Sequence, residues 1–182
     1  MRKSTKRELL VLLTLTLISI AIGLVLREYT AEKKLQAGEP PQSEKRNILA
    51  DYDFKAEDLN GNPIVLSDYK GKKILINFWS TSIRPCEKEM ADIEALYKET
   101  KDADLVILSI NAADNEEKVR AFVTKKGYSF PVILDPDGKL TKQYKVMGIP
   151  TSFFIDKDGY LGDMSIGAIN LEKMKKFIDS ID

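Results

Sequence analysis

Ile74-Leu75-Ile76-Asn77-Phe78-Trp79-Ser80-Thr81-Ser82-Ile83-Arg84-Pro85-Cys86-Glu87-Lys88-Glu89-Met90 is the stretch whose reading decides the fold. Its first six residues are nearly all apolar, which predicts a strand over 74–79 covered on both faces. A polar hinge, Ser80 to Ser82, comes next, and then a helical pattern. Pro85 suits the first turn of a helix, where its missing N–H costs nothing, and Glu87 and Glu89 suit the positive end of the helix dipole. Cys86, Met90, Ile93 and Tyr97 recur at helical spacing, so the helix turns its sulfur toward the strand just left. Cys86 is the only cysteine of the chain.

Outward from this stretch the pattern alternates. Upstream, apolar residues on either side of Asn60-Gly61 predict a β-hairpin, because that dipeptide accepts the positive φ of a tight turn. Downstream come a strand over 105–110, a helix over 116–126 stopped by Gly127, and a short strand over 130–134. After them stand a turn at Asp135-Pro136-Asp137-Gly138, a brief helix over 140–144 and a strand over 151–155. Asp158-Gly159 turns into a strand over 160–166, and a last helix begins at Leu171 with Asn170 as its cap. Strands separated by helices, with a hairpin at each end, predict an α/β domain: a central mixed sheet with helices on both faces.

The chain has 182 residues, 43% apolar and 31% charged, enough for one globular domain with some left over. It contains no histidine. That removes Ser-His-Asp and Cys-His catalysis and imidazole metal sites, and no metal or other cofactor is expected. A single cysteine also rules out an intramolecular disulfide. Residues 48–182 carry 19 Lys and Arg against 23 Asp and Glu, a mildly acidic balance that gives no electrostatic reason to bind nucleic acid.

The compartment is read from the first residues. A basic segment, 1–8, precedes residues 9–26, which carry no charge. At the helical rise this span covers about 27 Å, close to the hydrocarbon thickness of a bilayer. It predicts one transmembrane helix serving as a signal anchor, since the run exits into Arg27-Glu28-Tyr29 without a small-x-small cleavage site. The basic segment stays cytoplasmic and the remainder is extracytoplasmic. Residues 27–47, polar and with Pro40-Pro41 inside, form a linker to a domain over 48–182.

The soluble part resembles the membrane-anchored thioredoxin-fold proteins of the ResA and TlpA type, within the redoxin group. The matching pieces are Leu66-Ser67-Asp68-Tyr69-Lys70-Gly71-Lys72, Asn77-Phe78-Trp79, Pro85-Cys86-Glu87-Lys88-Glu89-Met90, Phe130-Pro131-Val132, and Gly148-Ile149-Pro150-Thr151 before Phe153-Phe154-Ile155-Asp156. The resemblance implies a thioredoxin-like fold and thiol-disulfide exchange through Trp-Cys-x-Pro-Cys, in which an exposed first thiolate attacks and a buried second thiol resolves. It also implies a reducing role in cytochrome c maturation or cell-envelope assembly.

Laid on this chain, the motif reads Ser82-Ile83-Arg84-Pro85-Cys86. Ile83 stands where the attacking cysteine belongs, and only the resolving position keeps its sulfur. The same resemblance makes Cys86 and Glu89 the candidate catalytic residues, Glu89 as an acid that handles protons beside the thiols, and makes Pro150 a cis-proline facing the site. Glu89 also reads as a carboxylate favoured by the helix dipole, and Cys86 as a small buried hydrophobe. A peroxide-reducing arrangement would want Thr or Ser three residues before the cysteine, where Ile83 stands. Two functions are implied: a thiol-disulfide oxidoreductase with impaired exchange, or a non-catalytic binding module. In the second, a groove of Trp79, Ile83, Pro85, Ile149 and Pro150 takes an exported protein or extended peptide, possibly one carrying a thiol.

Overall fold

The computed structural model describes residues 19–23, 47–48, 52–100 and 104–181. The chain divides into two units, Met1–Glu44 and Lys45–Asp182, and the second carries the fold. Most of the expected membrane span, and all of the expected linker 27–47 but its last residue, lie outside the described residues. Residues 19–23 are helical, and among the described residues no helix is long and apolar enough to cross a membrane.

The second unit begins with two short antiparallel strands, β1 (Lys55–Glu57) and β2 (Pro63–Val65), joined through Gly61 at φ +81°. The expected hairpin is there, but it forms its own two-stranded sheet. Asp58 ends the first strand early, because its carboxylate accepts the backbone N–H groups of Asn60 and Asn62 at 2.8 and 2.9 Å and folds the chain into the turn. A 3-10 turn, Leu66–Tyr69, leads to the main sheet.

That sheet holds β3 (Lys73–Trp79), β4 (Leu105–Ala112), β5 (Val132–Asp135), β6 (Thr151–Ile155) and β7 (Leu161–Ile166) in the order β5-β4-β3-β6-β7. β3 is central, as its continuous apolar run predicts. It pairs parallel with β4 and antiparallel with β6, which makes the sheet mixed. Strand β5 starts at Val132, two residues later than the apolar run suggests, because Pro131 has no N–H to give the ladder.

Alternation along β3 divides the core in two. Ile74, Ile76 and Phe78 meet Phe54, Ile64, Leu140 and Tyr144 on one face, where the hairpin and the short helix α3 (Lys139–Gln143) lie. Leu75 and Trp79 meet Cys86, Met90, Val119 and Met174 on the other. This second face is covered by α1 (Arg84–Thr100), α2 (Glu116–Lys126) and α4 (Leu171–Ser180). Each buried large apolar side chain contributes about 1.5–3 kcal/mol, so the two-sided core around β3 supplies much of the stability.

Helix ends obey the sequence signals. Asn115 accepts from Lys118 N–H at 2.9 Å and Asn170 from Lys173 N–H at 3.0 Å, capping α2 and α4. Gly127, at φ +68°, ends α2 in a left-handed residue. In α1 the buried apolar positions are Cys86, Met90, Ile93 and Leu96, with Tyr97 half-buried at the edge against Phe130.

Candidate functional site

The parallel strands β3 and β4 end at the same edge of the sheet, and the segments that leave them meet there. β3 runs into the Ser80-Thr81-Ser82 hinge, and β4 runs out toward Asp114. The Asp114 carboxylate is buried and accepts from Thr81 N–H at 2.7 Å, Lys118 Nζ at 2.9 Å, Ser80 Oγ at 3.0 Å and Asn111 Nδ2 at 3.1 Å. Burial raises its pKa, but these donors outweigh burial and hold the carboxyl well below the ordinary carboxylate range. Asp114 is therefore an anion that fixes the approach to α1. Sequence reading missed it; the signal available was its place shortly after the C-terminal end of the strand expected over 105–110.

From this pinned hinge the chain enters α1. Ile83 is 37% exposed at the mouth of the helix, and its carbonyl accepts Cys86 N–H at 3.0 Å. Cys86, one turn further in, is 0% exposed and free of any disulfide. Burial pushes its thiol pKa up, helped by the Glu89 and Asp114 carboxylates, while backbone N–H groups of Ser80 and Cys86 oppose the rise. The sulfur is thus a protonated thiol shut away from solvent.

Glu89 is 1% exposed, although it lies in the first turns of α1. It points inward beneath α1, accepting from Ile169 N–H at 3.1 Å and from Asn77 Nδ2 at 3.2 Å. Burial pushes its pKa up to about 7, against the lowering effect of those two donors and with Asp92 adding to the rise. Cys86, Glu89 and Asn77 therefore form one buried group between α1 and β3.

The expected groove needs a correction. Trp79 is fully buried, with its ring 5.5 Å from that of Phe122, so it does not line a surface. Its position on β3 faces α1 and α2, and Phe122 closes over it. The Ile149-Pro150 bond is cis, Pro150 is buried, and the Pro150 carbonyl accepts Gly167 N–H at 2.8 Å. What remains accessible is Ile83, Pro85 and half-buried Ile149. Two residues absent from the sequence-based site join that end of the sheet: Met147, 87% exposed, and Ile166, which pairs across from Thr151.

Comparison with known proteins adds the relationship. Residues 50–164 match the AhpC/TSA family. The thiol-disulfide oxidoreductase ResA of Bacillus cereus is 33% identical over 177 residues, covering 96% of each chain. The thioredoxin-like protein YneN of Bacillus subtilis is 36% identical over 130 residues, covering 70% of this chain and 75% of YneN. Among solved structures, StoA from Bacillus subtilis superposes with a TM-score of 0.64 at 27% identity, over 70% of this chain and 96% of StoA. The exposed lipoprotein thioredoxin of Streptococcus pneumoniae gives a TM-score of 0.65 at 30% identity, over 71% of this chain and 99% of that one.

Proposed function

Because the chain belongs to the AhpC/TSA family and is a ResA-like member with a thioredoxin-like fold, we propose that it is a membrane-anchored, extracytoplasmic thioredoxin-like protein whose dithiol exchange is impaired. The observation that carries this reading is the pair Ile83 and Cys86. The exposed position at the helix mouth holds an alkyl side chain, and the sole thiol lies one turn inward, buried and protonated. Exchange needs a thiolate that reaches the substrate disulfide and a second thiol that releases the mixed disulfide. Here neither requirement is met.

The surviving surface supports a second reading. Ile83, Pro85 and Ile149, with Met147 and Ile166 at the same end of the sheet, offer apolar contact to an extended segment of an exported protein. In this reading the chain binds a partner without turning it over, and Cys86 and Glu89 are retained inside the core. The extracytoplasmic placement rests on the charge-free span 9–26 behind a basic segment and on ResA-like ancestry. A role beside cytochrome c maturation is the family's implication carried to this chain.

The test is turnover. Full-length protein given a disulfide-bonded substrate and a dithiol reductant is expected to show no turnover above the uncatalysed rate. Turnover at the rate of a two-cysteine relative, abolished by Cys86→Ser, would sink the impaired-exchange reading.

A further inference from the structure

The outer face of α1 and the end of α2 enclose a cleft of about 470 Å³ beside the helix mouth. Arg84, Glu87, Lys88 and Ala91 line one wall at helical spacing, and Lys126 and Tyr128 form the other. Two contacts tie the walls together: Lys126 Nζ pairs with the Glu87 carboxylate, and the Tyr128 hydroxyl donates to the Glu87 carbonyl at 3.5 Å.

The charge of this cleft runs against that of the domain around it. Three cations line it against one carboxylate, whereas residues 48–182 carry 19 Lys and Arg against 23 Asp and Glu. Lys126 takes the one carboxylate, and among the described residues Arg84 and Lys88 form no ion pair. Both also stand in the first turns of α1, where the helix dipole favours anions, so helix formation gives no reason for either cation. Glu87 already feels the positive surroundings. Its carboxyl is held below the ordinary value by the Lys126 hydrogen bond first, and further by the charges of Lys126, Arg84 and Lys125. A carboxylate brought in from outside would meet the same field.

Spacing narrows the ligand. Arg84 and Lys88 are four residues apart on a helix, about 6 Å along its axis. Alternate residues of an extended chain are about 6.6–6.8 Å apart, so carboxylates at positions i and i+2 of an extended segment match the two cations. Exposed Ile83 and Pro85 flank Arg84 in the chain and offer contact to an apolar side chain next to the acidic pair. We propose that this cleft binds an acidic stretch of an exported protein, an extended segment with Asp or Glu at alternate positions beside an apolar residue. The proposal rests on the partner-binding reading above and adds the charge and spacing of the partner. An anionic bilayer is the other source of negative charge, but its surface is flat and suits protruding cations, whereas Arg84 and Lys88 face a second wall made by Lys126 and Tyr128.

The test is a peptide titration read by fluorescence anisotropy. Full-length protein in detergent is added to a labelled peptide containing Leu-Glu-Thr-Glu-Leu, and separately to its Leu-Gln-Thr-Gln-Leu counterpart, at low salt. The Glu peptide is expected to bind about tenfold more tightly, and to lose that advantage at high salt. Arg84→Glu combined with Lys88→Glu, two exposed changes that suit the start of a helix, should reverse the preference, so that a Leu-Lys-Thr-Lys-Leu peptide becomes the tighter ligand. Equal binding of the Glu and Gln peptides by wild type, no binding of either, or an unaltered preference in the double variant overturns the proposal. Ile83→Ser tells its failure from that of the reading beneath it. Weaker binding of both peptides supports the apolar contact; unchanged affinity with the charge preference intact removes that contact and leaves the acidic ligand standing. No binding of the Glu peptide, together with saturable and salt-sensitive binding of a soluble short-chain phosphatidylglycerol, overturns the proposal in favour of a lipid headgroup.

Discussion

Ile83 and Cys86 are separated by one helical turn, yet they meet opposite environments, and the difference sets what each can do. Ile83 is in contact with solvent and Cys86 is not. Ile83→Cys should therefore install an accessible thiol at the helix start, one turn from a second sulfur with Pro85 between them. Under mild oxidation the variant is expected to lose both free thiols to an intramolecular disulfide; two titratable thiols remaining after oxidation would show that position 83 is not the vacant attacking position. Glu89 gives a second residue-scale prediction. Its folded pKa, about 7, stands above the ordinary 4.5, so the folded state binds the extra proton between those values. Stability from this group is fully present below about pH 4.5 and is lost as pH rises toward 7. Glu89→Gln, which keeps an acceptor for Ile169 N–H, should gain on the order of 3 kcal/mol over wild type from the bottom of that window to the top. Denaturant unfolding of both proteins at pH 4.5 and pH 8 measures it, and a difference between them that does not change with pH refutes it.

The hinge between β3 and α1 is organised by a carboxylate that arrives from another strand. Four of the donors on Asp114 come from the hinge, from β4 and from α2. Asp114→Asn puts an NH2 group where Lys118 now points or, in the other orientation, where Ser80, Thr81 and Asn111 now point, and it should cost about 2 kcal/mol at neutral pH, in the range for hydrogen bonds to a charged group. Because the Asp114 pKa is depressed, its contribution is present above the ordinary carboxylate pKa and fades as pH falls below it. The penalty of the variant should accordingly shrink in acid, and Thr81 N–H exchange should quicken at neutral pH; an equal penalty at pH 3 and pH 7 would contradict this. The contrast with α2 shows what a sequence discloses at this scale. That helix runs over 116–126 as expected, because Asn115 and Gly127 punctuate it within its own stretch. Asp114 and the closure of Phe122 over Trp79 were not legible, since their partners lie on elements that come together only in the folded sheet: Thr81 across 33 residues, and Phe122 over the Trp79 ring. The central place of β3 was legible, because a strand covered on both faces shows an unbroken apolar run. Glu89 read equally as a proton-handling acid beside the thiols or as a helix-start carboxylate favoured by the dipole, and its burial was not legible because it comes from the packing of α1 on β3.

At the scale of the molecule, the mixed sheet has two ends with different duties. Ile83, the cis Ile149-Pro150 bond and Ile166 lie where β3 ends, β6 begins and β7 ends. The chain enters the fold at the other end: Asn47 bridges Tyr160, and Ile48 N–H donates to the Gly159 carbonyl at 2.7 Å, beside the start of β7. Five to seven strand residues, about 20 Å of sheet at the usual rise, separate the entry from the candidate site. Because the described entry point and the candidate site lie at opposite ends of the sheet, anchoring and site can be tested apart. The charge-free span 9–26 should carry the full-length protein into the membrane fraction, released by detergent and not by salt or alkali. A chain starting at Lys45 keeps Ile48, which is buried in the first core cluster, and should remain in the soluble fraction with the same unfolding midpoint and the same shielded Cys86. Release of the full-length protein by salt would mean that the span does not anchor it. A lowered midpoint in the shortened chain would mean that residues before Lys45 help hold the fold, and the two-ended division of labour would then be wrong.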